Sequence, residues 1–377
     1  MGQKQDYIDA VRGWAILMVM TTHVGKAFVE LPWAVKRFTN PGWHGVQLFF
    51  LASAVTLLMS WHRSRAHDAR ATRSFFLRRF LRIAPMYYAG ALLYAFAQPP
   101  SLGFDAFQLL RTLLFVNVWR PDWVPTTPGW LVVPGGWSIG VEFTFYAVFP
   151  VLAAIITTLP RALALVAVSV AIAVTANTIG TAVFGASGEA ASANFLYFWF
   201  PNQLPVFSIG FVLYFLIDTA RFTLQRRTTA YMLLAGVAIS WSLVTQMPTA
   251  SAFFTTNTLA PPLLLVSVVF SAFVLILARG PATLLTHPLV RRIGVLSFST
   301  YVLHFLVIDL LPAWSFGLID VKATGYAAIA NFIVLWVLTV AVTALAAAAA
   351  HAWIEQPGIE LARRLTVRRA PRLAPGG

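Results

Sequence analysis

Trp14-Ala15-Ile16-Leu17-Met18-Val19-Met20-Thr21-Thr22-His23-Val24 is an apolar run entered through Asp9-Ala10-Val11-Arg12-Gly13 and left through Lys26. Taken with its flanks, Ile8–Val29 matches the length of about 20 residues that a helix needs to cross a bilayer. Arg12 and His23 are eleven positions apart. At about 100° per residue this is three turns plus about 20°, so the two share one helix face, about 16 Å apart along the axis. Asp9, three residues before Arg12, lies where it can pair with it on that face. Ionisable side chains within a span are costly and mark candidate functional positions.

The same window finds nine further spans: Val46–Trp61, Leu81–Ala97, Trp137–Ile156, Ala162–Phe184, Leu204–Ile217, Tyr231–Gln246, Leu263–Leu277, Leu296–Leu311 and Tyr326–Trp353. Phe107–Val118 is apolar but too short to span, and reads as an interfacial helix in a long loop. Composition agrees with a membrane solvent. The 377 residues are 59% hydrophobic and 11% charged, whereas a soluble domain carries about a quarter charged residues. The expected fold is all-α: a bundle of about ten transmembrane helices in one domain over residues 1–360, followed by a basic, disordered cytoplasmic tail at 361–377.

The net charge of +14 looks at first like a nucleic-acid footprint, but its distribution follows the positive-inside rule. With the N-terminus in the cytoplasm and ten alternating spans, 21 of the 27 Lys and Arg residues fall inside. They cluster in the segments holding Arg63 to Arg82, Arg221 to Arg227, Arg279 to Arg292 and Arg363 to Arg372. Only Lys26, Lys36, Arg37, Arg111, Arg120 and Lys322 fall outside. Both termini are therefore expected in the cytoplasm. Cysteine is absent, which removes thiol nucleophiles, disulfides and cysteine-ligated metals. The first apolar run contains His23 and Lys26 and no small-residue cleavage site follows it, so it reads as a retained span.

Other polar residues recur inside the spans. Glu142 sits about a turn and a half past Trp137, in Trp137-Ser138-Ile139-Gly140-Val141-Glu142, and must be neutralised, paired or hydrated there. Tyr301 and His304 share a face at i, i+3. Arg79 and Arg82, also i, i+3, can clamp an anion with two guanidinium groups or simply anchor the helix at the cytoplasmic interface. Glu355 stands at the inner end of the last span, where it can orient such arginines. His23 reads equally as a general base, since imidazole titrates near neutral pH, or as a histidine bonded to a neighbouring carbonyl. His304 divides the same way.

Together these stretches resemble the acyltransferase type 3 family of membrane-bound acyltransferases. The resemblance is carried in order by Asp9-Ala10-Val11-Arg12-Gly13-Trp14 through His23, by Gly45-Val46-Gln47-Leu48-Phe49-Phe50-Leu51-Ala52-Ser53 and by Arg79-Phe80-Leu81-Arg82-Ile83-Ala84-Pro85. Trp137-Ser138 with Glu142, Ser299-Thr300-Tyr301-Val302-Leu303-His304 and Glu355-Gln356-Pro357 complete it. Gln47 departs from an aspartate common in that family, and Ser53-Ala54-Val55 replaces the usual Ser-Gly-Phe.

The resemblance implies a stand-alone enzyme of a bacterial inner membrane that transfers an acyl group, expected to be acetyl, from acyl-CoA. The acceptor it implies is a hydroxyl of a cell-surface carbohydrate or lipid-linked glycan, with no metal and no permanently bound cofactor. Arg12, Arg79 and Arg82 would hold the phosphates of coenzyme A, and His23 would act as base. Glu142 would orient His23 or bind sugar, Tyr301 or His304 would donate to the oxyanion, and Asp9, Trp137, Ser138 and Glu355 would position these groups. The rival reading is a proton-coupled secondary transporter with Arg12, His23 and Glu142 as its relay, although the chain shows no internal repeat of the kind such carriers carry.

Overall fold

The structure, a computed structural model, describes residues 3–65, 71–98, 105–120, 123, 132–184, 195–219, 223–246 and 260–366, and among these there is no strand. In chain order the helices are α1 (Gln3–Ala27), α2 (Trp33–Thr39), α3 (Gly45–Arg65), α4 (Ala71–Ala97), α5 (Ala106–Leu113), α6 (Trp137–Ile155) and α7 (Leu159–Phe184). They continue with α8 (Phe200–Thr219), α9 (Arg226–Gln246), α10 (Ala260–Arg279), α11 (Pro288–Val295), α12 (Ser297–Trp314), α13 (Gly325–Ala350) and α14 (Gln356–Thr366). A 3₁₀ turn, Asn40–His44, joins α2 to α3, and a π turn, His351–Glu355, joins α13 to α14.

Every span read from the sequence overlaps a helix, and the chain is an all-α integral membrane protein. Among the described residues seven helical segments are long and apolar enough to cross a membrane. The helices holding Ile8–Val29, Tyr231–Gln246 and Leu263–Leu277 fall outside that set. Of these, α1 carries Asp6, Asp9, Arg12 and Lys26. The stretch read as interfacial contains α5, whose Phe107, Leu110 and Leu114 are exposed. At the other end helix α14 runs on to Thr366, so residues 361–366 of the expected tail are helical, and 367–377 lie outside the described residues.

α1 is the helix the others enclose, packing against α3, α10, α11, α12, α13 and the 3₁₀ turn. Small residues allow this. Gly45 sits over the Ala15 carbonyl, Gly42 over Met18, and Gly13 over Val290 of α11; at Gly294 a Cβ would overlap the Asp9 carbonyl. Backbones approach closely only where no side chain intervenes, as in membrane helix packing generally. Apolar side chains that face outward, such as Val168, Ile172 and Ile179 of α7 and Ile333, Val337 and Leu345 of α13, are exposed. Lipid is their natural solvent.

Candidate active site

α1, α3, α4, α6 and α12 converge on one cavity. Arg12, Arg79, Arg82 and Glu142 all line it, although they are scattered over 130 positions of sequence. Around them stand Ser53, Ser138, Tyr146, Ser297 and Tyr301, with Phe49, Phe50, Ile83, Ile139 and Phe298 as apolar wall. Helical spacing explains the grouping. Ser138, Glu142 and Tyr146 are at i, i+4 and i+8 of α6 and form one stripe, while Ser297 and Tyr301 are one turn apart on α12.

Three guanidinium groups thus face one carboxylate, leaving an excess of positive charge for an anionic guest. Glu142 is not spent on an arginine by hydrogen bonding. Its Oε1 accepts from Ser53 Oγ at 2.6 Å and from the Tyr146 hydroxyl at 2.5 Å. Arg79 lies 5.9 Å from the ring centroids of both Phe75 and Tyr146, so Tyr146 serves carboxylate and guanidinium together. Asp9 is close enough to Arg12 and Arg82 to attract both.

His23 and His304 do not line the cavity. They meet each other, His23 Nδ1 lying 3.0 Å from His304 Nε2. The Phe305 ring covers both, with centroid separations of 4.3 Å to His23 and 4.1 Å to His304. His304 is fully buried, and its Nδ1 is 2.8 Å from the Tyr301 carbonyl and 3.2 Å from that of Thr300. Both nitrogens of His304 are therefore occupied, and neither is free to meet an oxyanion at rest. Thr22 Oγ1 donates to the Thr39 carbonyl at 2.6 Å and Trp336 Nε1 to Thr21 Oγ1 at 2.9 Å, which pins this end of α1 between the end of α2 and α13.

Tyr301 separates the two places. It lines the cavity, and its ring centroid is 5.7 Å from that of His304. Its hydroxyl accepts from Ser138 Oγ at 2.9 Å and donates to the Gly135 carbonyl at 3.0 Å. Gly135 has φ +75°, a conformation that glycine adopts without strain, and a Cβ there would stand 2.9 Å from the Tyr301 oxygen. Gly135 thereby brings the start of α6 against Tyr301 of α12, while Gly136 leaves room for Tyr87 of α4.

Of the residues singled out in the sequence, the arginines, Glu142, Ser138 and Tyr301 share the cavity, and His23 and His304 form a pair beside it. Glu142 bonds to Ser53 and Tyr146, and His23 to His304, so these two are not one histidine–carboxylate pair. Glu355, 2% exposed, accepts from Ser299 Oγ and pairs with His351 Nδ1 at 3.1 Å, tying the end of the chain to α12. Trp137 stacks on Phe198 at 4.5 Å and meets Phe50 edge-on, outside the lining. Among the described residues no group of three or more His, Asp or Glu side chains is placed to hold a metal ion.

Sequence reasoning noted Ser299 as a polar residue of its span and met Ser53 and Tyr146 within the family motifs, but gave no role to these three, to His351 or to Phe305. Tyr146 and His351 were within reach, each being one turn from a glutamate already marked. Ser53 and Phe305 carry no local signal, because their partners are on other helices or reach them only through packing.

A family model described as an acyltransferase domain matches residues 5–351. The chain is 28% identical over 382 residues to acyltransferase MdmB of Streptomyces mycarofaciens, in an alignment covering 97% of this chain and 94% of that protein. No solved structure matches it.

Proposed function

From the premise that this chain belongs to the acyltransferase domain family, type 3, and is a multi-pass membrane acyltransferase, we propose that it moves an acyl group, acetyl in the simplest case, from acyl-CoA to a hydroxyl. The acceptor class we assign is a cell-surface carbohydrate or a lipid-linked glycan. The proposal includes a bacterial inner membrane, ten spans, both termini cytoplasmic, and a donor that enters from the cytoplasm.

One observation carries this reading: Arg12, Arg79 and Arg82 line a single cavity, and Arg12 shares a helix face with His23. Guanidinium groups bind phosphate bidentately with charge-assisted hydrogen bonds, so the cavity suits the phosphates of coenzyme A. The axial distance of about 16 Å from Arg12 to His23 is comparable to an extended pantetheine arm, which would have to pass Tyr301. His23 would then take the acceptor proton as the oxygen attacks the thioester carbonyl, a contribution of about 10²–10⁴-fold.

The test uses purified full-length protein in nanodiscs with acetyl-CoA and a carbohydrate acceptor, following free thiol and, by mass spectrometry, ester-linked acetyl. Both should appear together with wild type, and His23→Ala should abolish ester formation while still binding coenzyme A. A protein that binds no coenzyme A, or transfers equally well without His23, overturns the reading.

A further inference from the structure

We infer that His304 is a positioning residue that fixes the tautomer of His23, so that Nδ1 of His23 carries the ring proton and Nε2 is the basic atom. This rests on the reading of His23 as general base. The inference follows from counting donors and acceptors around two rings, each of which, when neutral, has one N–H and one lone pair.

The carbonyl oxygens of Thr300 and Tyr301 can only accept. His304 Nδ1 lies 3.2 Å from one and 2.8 Å from the other, so that nitrogen bears the proton. In a neutral ring His304 Nε2 is then an acceptor. Its partner at 3.0 Å is His23 Nδ1, which must therefore donate. The proton of His23 is placed at Nδ1, and Nε2 is left with the free lone pair. The assignment assumes a neutral pair, and the surroundings favour it. His304 is fully buried, the rings it meets are His23, Tyr301 and Phe305, and the nearest charge along α1, Lys26, is itself positive. A buried positive charge without a carboxylate beside it is costly.

Helix α12 therefore works as a template. Its own carbonyls, one turn back from His304, set that ring's tautomer, and the ring sets that of His23. The orienting partner is an imidazole where a carboxylate might have stood, and Glu142 is left to the cavity. In the reaction His23 Nε2 takes the proton of the acceptor hydroxyl while the oxygen forms its bond to the thioester carbon. The carbon–sulfur bond breaks, and the leaving thiolate recovers that proton from Nε2. Ester and free thiol result, with His23 regenerated. While His23 holds both protons, Nδ1–H donates to His304 Nε2 and spreads the charge.

Three measurements test this with full-length protein in nanodiscs, ¹⁵N-labelled at histidine, the His23 signals assigned by comparison with His23→Gln. Wild type should show His23 protonated at Nδ1 and bare at Nε2. His304→Leu should lose that single form and lower kcat by about 10–100-fold, the usual cost of removing an orienting partner, with coenzyme A affinity unchanged. His304→Gln, whose amide oxygen can accept from His23 Nδ1–H, should restore the Nδ1–H form and most of kcat. His23 found protonated at Nε2 in wild type overturns the inference, as does a His304→Gln variant as slow as His304→Leu with its His23 signal intact. If His23→Gln itself transfers acetyl normally, the base assignment falls and this inference with it. An inactive His23→Gln alongside an Nε2–H wild type removes only the tautomer.

Discussion

Arg12 and His23 stand on the same face of α1 but have reached opposite surroundings. The Arg12 end opens into a cavity where three guanidinium groups, a carboxylate and five hydroxyl side chains line the wall. At the His23 end the ring, itself partly exposed, packs against His304 and Phe305. Charge belongs at the first, where an anionic donor must be admitted and released. At the second, the neighbouring imidazole fixes the direction of the hydrogen bond. A single helix can serve both tasks because its axial rise separates them by about 16 Å.

The sharpest break between the two ends is kinetic. His23→Ala should lower kcat by about 10²–10⁴-fold and leave KM for the acyl donor within about a factor of two, whereas each of Arg12→Ala, Arg79→Ala and Arg82→Ala should act mainly on KM. Loss of a charge-assisted bond costs about 1.5–3 kcal/mol, so the arginine variants should raise donor KM by about 10–100-fold. Lysine at Arg79 should recover only part of it, since an ammonium lacks the planar fork and stacks less well between Phe75 and Tyr146. Steady-state kinetics with acetyl-CoA as the varied substrate checks both sets. An arginine variant that changed kcat alone would merge the two ends into one site.

Packing supplies a smaller effect. Gly294→Ala forces a methyl against the Asp9 carbonyl, and overpacking of this kind costs about 1–3 kcal/mol. The thermal midpoint should fall, and because Asp9 is three residues from Arg12, donor affinity should fall more than kcat. Least of all, Tyr146→Phe keeps the ring over Arg79 and deletes one of the two bonds to Glu142. About 0.5–1.5 kcal/mol should appear as a few-fold weaker binding of coenzyme A by calorimetry. A larger effect on kcat than on binding would move Glu142 from the donor side to the chemistry.

Some of this architecture was legible in the residue order. Ser138, Glu142 and Tyr146 fall on one stripe by helical period alone, and Arg79 with Arg82 likewise. Asp9 was read as a partner of Arg12; both Arg12 and Arg82 lie within its electrostatic reach. Glu355 was read toward the arginines and instead bonds Ser299 and His351, because the π turn at His351–Glu355 rotates it onto α12. Gln47 stands where the family pattern has an aspartate. Fully buried, it donates to the Tyr197 hydroxyl at 2.9 Å and to Gln203 Oε1 at 3.2 Å, two bonds that an aspartate side chain, an acceptor when ionised, could not make. Of the long-loop aromatics Phe104, Phe107, Trp119, Trp123 and Trp130, which read equally as faces for stacking on sugar or as interfacial anchors, Phe104 and Trp130 lie outside the described residues.

The residue order by itself determined the solvent and the spacing: an all-helical membrane chain, with an arginine and a histidine held eleven residues apart on one face. Those follow from apolar length and from the 3.6-residue turn, both local properties. Only the tertiary structure decided which groups meet. The union of Arg12, Arg79, Arg82 and Glu142 in one cavity depends on how five helices cross, and so does the choice of His304 rather than Glu142 as the partner of His23. Such crossings are set by the small residues that let backbones touch, Gly13, Gly42, Gly45 and Gly294, and a glycine in a sequence does not say which helix will fill the space beside it.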